Sequence, residues 1–324
     1  MKALTVTQKL LGHGVPVLCY HQVRPHSGMT PEKFGRHLDL ISSLGFQTIG
    51  LTRLHRIIAG REPWPGPAVV VTFDDCTLDS WVHAIPELVR RNMTAVFFAI
   101  TDFLVPGPAR LRSDQGGQAD VPDFGNVMRQ AMDGHMHWFM NHDELRSAVH
   151  DFGMEIFPHS AAHQACFTDS RPLGRLAENR HWSHGALCGK GAAPETPVHP
   201  VGSAYAHAGF GLDWNGQPLS LSTAEERLNF CIDDFSSSKM RLESILERPC
   251  PFLCLPWGQY DDVTLEAARK TGFTAVLTLD RSGVGIGTDP FRIGRRAIRD
   301  RKTLAWLAFR LLMDAHGKSR RVAA

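Results

Sequence analysis

Apolar and polar positions follow two rhythms along the chain. The first is the short continuous apolar run: VPVLCY before His21, VVVTF before Asp74, TAVFFAI from Thr94 to Ile100, Met154 to Phe157, FLCL from Phe252 to Leu255, and FTAVLTL after Gly272. Such runs, rich in β-branched and aromatic residues and bounded by turn formers, read as strands buried on both faces. GFQTIGL, from Gly45, reads as a further strand. The second rhythm is helical. Thr30 and Pro31 supply an N-cap and first helical position, Phe34, Leu38 and Ile41 share one face, and Gly45 ends the element. Trp81, Ile85, Leu88 and Val89 mark a helix from Asp79 to Arg91, Leu145 and Val149 lie on another that Gly153 ends, and a third runs from Val263 to Lys270. A terminal amphipathic helix, about 302–316, carries Leu304, Leu307, Leu311 and Leu312.

Strand followed by helix, repeated, predicts an α/β fold: a parallel sheet with helices outside it, open or closed into a barrel. Chemistry in such folds gathers at the C-terminal ends of the strands. His21, Asp74, Asp75, His159 and Pro256 all stand just past predicted strands, so the topology can bring them to one place. Two stretches interrupt the alternation. Residues 102–137 are rich in Gly, Pro and Asp; residues 166–219 hold Trp182, Tyr205, Trp214 and the histidines His181, His184, His199 and His207. Loops of this length are usually functional or disordered.

Composition narrows the classes. The chain has 324 residues, 43% hydrophobic and 21% charged, enough for a sizeable core and against global disorder. A net charge of +2 from 35 basic and 33 acidic residues argues against nucleic acid as the partner. Seven cysteines, an odd number without a C-x-x-C pair, fit a reducing compartment. MKALTVTQKLLGHGVPVLCY lacks a secretory pattern, and LAWLAFRLLM carries Arg310 and falls short of the ~20 apolar residues of a membrane span. The expected location is cytoplasmic, with no transmembrane segment; the oligomeric state is open.

Asp74 and Asp75, adjacent at the end of an apolar strand, repel each other and lose hydration, so something must compensate them. They can be a turn and the N-cap region of the next helix; a cation can also bind one carboxylate and leave the other as a base. His159 and His163 in FPHSAAH are four apart, a spacing at which two imidazoles on one side of a helical turn grip one ion. Among seventeen histidines that spacing also arises by chance. One Asp with two His binds a divalent metal and leaves positions open for water and substrate.

TFDD at Thr72–Asp75, HSAAH at His159–His163 and LPWGQYDD at Leu255–Asp262 resemble, in order, three motifs of the polysaccharide deacetylases, carbohydrate esterase family 4. The flanks WVHAIPELVRRNMTAVFFAI and HDELRSAVHDFGMEI are similar to the same family. VPVLCYHQV resembles the circularly permuted branch that includes poly-N-acetylglucosamine deacetylases, in which the acid histidine sits on the first strand.

The resemblance implies a distorted (β/α) barrel of about seven strands, one catalytic domain spanning 1–324 with an insertion at about 166–219, and metal-dependent removal of an acetyl group from an amino sugar. By it Asp75, His159 and His163 hold one divalent ion, Zn²⁺ first, with Co²⁺, Ni²⁺ or Fe²⁺ also suited to the ligand set. Asp74 is the base, His21 the acid, and the Trp257 backbone N–H the oxyanion donor. Arg295 buttresses Asp74, with Arg296 as the other register. Cys76 stands where the family has Gly, and Cys254 where many members have Arg, which leaves Arg295 to orient the base. Trp182, Tyr205, Trp214 and Tyr260 are the expected sugar-binding residues of a carbohydrate substrate; an ordered surface loop or oligomer contact is the plainer account of the insertion. Two other readings use the same residues: an amidohydrolase on a small non-carbohydrate amide, and a glycan-binding homologue without catalysis.

Overall fold

The structure, a computed structural model, describes residues 13–189, 191–212, 218–281 and 283–316. Strand β1 (Val17–Tyr20) is buried along its length, as its apolar run requires. Helix α1 (Pro31–Ser43) begins at Thr30, whose hydroxyl accepts from Lys33 N, and turns Phe34, Leu38 and Ile41 into the core. GFQTIGL yields only a two-residue strand, β2 (Gln47–Thr48), because Leu51 opens helix α2 (Leu51–Ile58). The Glu155 carboxylate accepts from the N–H groups of Leu51 and Thr52 at 2.6 and 3.1 Å and so caps that helix.

Strand β3 (Ala68–Phe73) is wholly buried. The helix expected from Asp79 is split into a π-helical turn, Ser80–Ala84, and α3 (Ile85–Val89). Pro86 has no N–H to donate and its ring crowds the carbonyl one turn back, which widens the ladder. Strand β4 (Val96–Ala99), helices α4 (Phe124–Met132) and α5 (His142–His150), and strand β5 (Glu155–Pro158) follow. The next segment holds β6 (Ala165–Phe167), β7 (Gly174–Arg175), α6 (His184–Cys188), β8 (Pro197–Val198), β9 (Val201–Ser203), β10 (Phe210–Leu212) and β11 (Pro218–Ser220). Here β6 pairs with β9, β7 with β8 and β10 with β11, all antiparallel, so the insertion is a set of small ribbons. Helix α7 (Ala224–Leu246), 23 residues long and absent from the sequence expectations, leads to β12 (Phe252–Cys254), α8 (Asp262–Lys270), β13 (Ala275–Leu277), β14 (Arg296–Ala297) and α9 (Leu304–His316).

The main sheet is parallel, in the order β14-β1-β3-β4-β5, with β2 beside β3. Strand β1 therefore lies between the last strand and β3, and its C-terminal end, at His21, adjoins that of β3, at Asp74. β12 and β13 form a separate parallel pair. Among the described residues the hydrogen-bonded strands form an α/β fold with an open parallel sheet, and no sheet closes. The β12–β13 pair meets its neighbours at two places: His159 Nδ1 donates to the Cys254 carbonyl at 2.9 Å, and Ile293, ahead of β14, accepts from Thr278 N at 2.9 Å and donates to the Val276 carbonyl at 3.0 Å. Strands of two or three residues end before a ladder can form. One apolar cluster fills both faces of the sheet; a second, with Phe235, Leu253, Leu265 and Val276, lies under α7 and α8. No described helix is long and apolar enough to cross a membrane.

Candidate metal centre and active site

Asp74 follows the last residue of β3, and its N–H donates to the Tyr20 carbonyl of β1 at 3.1 Å. The next residue leaves the strand in a left-handed turn, with φ of 74° at Asp75 and 51° at Cys76. That turn aims the two carboxylates differently. Asp74 meets Arg295, while Asp75 Oδ1 lies 3.6 Å from His159 Nε2 and 3.9 Å from His163 Nε2. All three side chains are buried, and Asp75 Oδ2 has no hydrogen-bond partner. His159 Nδ1 must carry its proton to donate to the Cys254 carbonyl, so the Nε2 lone pair faces Asp75.

These residues fit a divalent ion. Tetrahedral zinc with ligands ~2.0–2.2 Å away sets ligand atoms roughly 3.4 Å apart, close to the observed separations. Asp75 Oδ2 is an orphaned buried acceptor, and the donor set of two imidazoles and a carboxylate suits such an ion.

The two imidazoles do not share a helical turn, as their spacing suggested. Residues 159–163 form a bend in which Ser160 and His163 take φ of 68° and 52°, closed by His163 N donating to Ser160 Oγ at 3.0 Å. Asp234 of α7 pins the bend from below: Oδ1 accepts from Ala161 N at 2.8 Å and Oδ2 from the Tyr205 hydroxyl at 2.9 Å. Of the eight non-glycine residues with positive φ among the described residues, five (Asp75, Cys76, Ser160, His163 and Trp257) belong to these motifs. Strain of this kind collects where a site is being shaped.

Burial alone would raise the pKa of Asp74, but the Arg295 guanidinium and the nearby imidazoles outweigh it and hold the carboxyl well below the usual range. Arg295 Nη1 and Nη2 donate to Oδ1 and Oδ2 at 2.6 and 2.9 Å. The thiols of Cys19 and Cys254 complete the surround at 3.6 and 3.7 Å. Asp75 lies without such a partner, and burial reinforced by Asp74 pushes it up to about 7. Burial lowers His159 to about 4 and holds His163 well below its ordinary value. His21 is the open member of the group: its side chain is 48% exposed, with Nε2 3.9 Å from Asp74 Oδ2. Arg296 faces away and pairs with Asp314.

No family model and no curated protein sequence matches the chain. Solved structures do. IcaB from Ammonifex degensii superposes with a TM-score of 0.62 at 20% identity, over 94% of this chain and 99% of that one. A de-N-acetylase from Aggregatibacter actinomycetemcomitans gives 0.66 at 17% identity, over 91% and 99%. The BpsB deacetylase domain of Bordetella bronchiseptica gives 0.60 at 18%, over 89% and 96%. The chain has a deacetylase fold.

On this deacetylase fold the expected sugar-binding residues separate. Trp182, from the insertion, lies parallel to Trp257 with ring centroids 6.1 Å apart, and both rings approach His163, at 6.0 and 4.4 Å. Trp182 is itself buried, so it walls the candidate metal site and offers no open platform. Phe124 of α4 approaches the same imidazole at 5.8 Å between ring centroids, which brings both irregular stretches to one histidine. Tyr205 is a correction: it is fully buried, with its hydroxyl engaged by Asp234, and has no face for a sugar. Tyr260 is half-buried, its hydroxyl donating to Asp280 at 2.5 Å and its ring beneath Arg292. Trp214 lies outside the described residues. Asp234 was missed; the readable signal was the Thr223–Glu226 capping box that opens its helix.

Proposed function

We propose that the chain is a metal-dependent de-N-acetylase of acetylated amino sugars, one catalytic domain built as a distorted barrel whose ring the β12–β13 pair completes. The observation that carries it is the division of labour between adjacent carboxylates: Asp75 aims at two imidazoles, while Asp74 is held ionised by Arg295 and faces His21. A binding module needs neither an ionised carboxylate beside the ligand set nor an exposed imidazole 3.9 Å from it. The de-N-acetylase matched in fold supports the choice of an acetamide.

A carboxylate held below its usual range is a weak base, and it takes a proton efficiently only from an acidified water. Zinc, or another divalent ion of similar preference, held by Asp75, His159 and His163 would supply that acidity and polarise the acetyl carbonyl. Asp74 receives the water proton, and Arg295 keeps both of its oxygens fixed during the transfer. The Trp257 N–H, on the strained turn beside His163, donates to the oxyanion as the carbonyl carbon becomes tetrahedral. His21, in contact with solvent, delivers a proton to the departing nitrogen. The carbon–nitrogen bond breaks, a carbon–oxygen bond forms, and acetate and an amine leave.

The test is acetate release from N-acetylglucosamine oligomers by metal-replete protein, with metal content measured on the same sample. Asp75→Ala should abolish both. Full acetate release by a metal-free Asp75→Ala variant would sink this mechanism.

A further inference from the structure

A second concentration of charge adjoins the metal centre. A cavity of about 620 Å³ opens between β14 and the start of α9, and its wall includes Arg281, Arg299, Arg301, Lys302 and Arg310 around the ring of Trp306. Among the described residues no carboxylate lines it. Two further arginines of the wall are already neutralised, Arg295 by Asp74 and Arg296 by Asp314. Arg310 lies over the rings of Trp306 and Phe309, and its Nε is buried without a hydrogen-bond partner. The Lys302 ammonium sits over the same indole at 5.2 Å. A smaller cavity of about 340 Å³ at His21 shares Arg299 and Arg301 with the first and adds Arg24 and Asp300. The cations thus form a track that begins at the candidate acid.

Cations gathered in this way repel one another until an anion joins them. Removing an acetyl group from an amide leaves an ammonium, so a partly deacetylated polymer would be repelled along this track. The unpaired charges outnumber what one carboxylate can neutralise, and converging arginine forks match tetrahedral phosphate oxygens. We propose that the track binds the phosphate or diphosphate ester of an N-acetylated amino sugar and so presents the sugar to Asp74 and His21. This rests on the deacetylase reading above.

Inorganic phosphate titrated into the metal-loaded protein, followed by calorimetry, probes the site directly. Binding should weaken about tenfold or more in Arg281→Ala/Arg310→Ala protein that circular dichroism shows to be folded. Phosphate that binds this variant as well as the parent sits on the ion alone and overturns the proposal. The kinetic arm compares kcat/KM for N-acetylglucosamine 1-phosphate, a short-chain lipid diphosphate-linked N-acetylglucosamine and a neutral N-acetylglucosamine oligomer. A preference of about tenfold or more for a phosphorylated sugar, reduced in the variant, supports the site. The better of the two phosphorylated substrates says whether the phosphate belongs to a soluble sugar or a lipid headgroup. Equal rates on the neutral oligomer overturn the track and leave the deacetylase reading standing. No acetate from any substrate removes that reading, while the phosphate titration still decides the anion site.

Discussion

Arg295 holds Asp74 by both terminal nitrogens, at 2.6 and 2.9 Å, although 221 residues separate them in the chain. The adjacent carboxylates are thereby compensated separately, Asp74 by this guanidinium and Asp75 by the ion proposed for its site. Arg295→Ala strands a buried charge, and the expected loss is about 3–5 kcal/mol of stability at neutral pH with kcat/KM falling at least a hundredfold or so. Arg295→Lys restores the charge but not the fork and should recover only part. The sign with pH follows from the lowered Asp74 pKa: its stabilisation is present above the ordinary value of 3.8 and is lost as the pH falls through the folded value. The Arg295→Ala deficit should therefore shrink on acidification. Chemical denaturation at pH 7 and pH 3 measures it, and a deficit that grows toward pH 3 counts against the pairing.

Metal uptake should release a proton below neutral pH, and the proton comes from Asp75. Burial first, then Asp74, pushes that carboxyl up to about 7, whereas His159, at about 4, is already neutral at pH 6. About one proton per ion is expected at pH 6 and almost none at pH 8, with apparent affinity falling up to about tenfold per pH unit below 7. In the metal-free protein the folded state keeps a proton that the unfolded chain has lost, so the Asp75 contribution to stability declines as pH rises from about 4 to about 7. Zinc titrations in two buffers of different ionisation enthalpy count the protons. Identical heats in both buffers at pH 6 would rule this out.

Cys76 occupies a left-handed turn, φ 51°, and its side chain is buried in the main core. Glycine would relieve about 1–2 kcal/mol of backbone strain but give up a comparable amount in lost burial and added chain entropy. Cys76→Gly is expected to stay within about 1 kcal/mol of the parent, while Cys76→Val, branched at a positive φ, should cost about 2 kcal/mol or more. Urea midpoints decide between them; a Val variant as stable as the parent would mean that the turn is not held in this shape.

Tyr205→Phe removes one hydroxyl from beneath the His159–His163 bend. The predicted effect is about 1 kcal/mol of stability and weaker metal binding, because Asp234 then supports Ala161 N without its own partner. Oligomer KM should be unaffected, since the ring is buried. A raised KM with unchanged metal affinity would return Tyr205 to sugar binding.

Arg295 was reached only through the family resemblance around residue 295, whereas the strands and the adjacent carboxylates were legible in local pattern, an apolar run that stops at Asp74. The geometry of the HSAAH segment was not, since positive φ at Ser160 and His163 leaves no mark in residues that are not glycine. Helix α7 was hidden by its own composition, where DDFSSSK reads as loop although Phe235 and Leu242 are buried. Aromatic content in the insertion could not distinguish a core tyrosine from a binding surface. Tyr205 and Trp182 therefore differed from expectation through burial that only tertiary packing decides.

The distance in sequence between Asp74 and Arg295 also orders the assembly of the protein during synthesis. At ~5–20 residues per second, the 221 positions between them take roughly 10–45 s to translate. Throughout that interval the end of β3 has no counterion, so closing the sheet over Asp74 would bury a lone charge. The nascent chain must keep this strand end hydrated until β14 arrives beside β1, so the centre is sealed only after the helices and ribbons between them have been made.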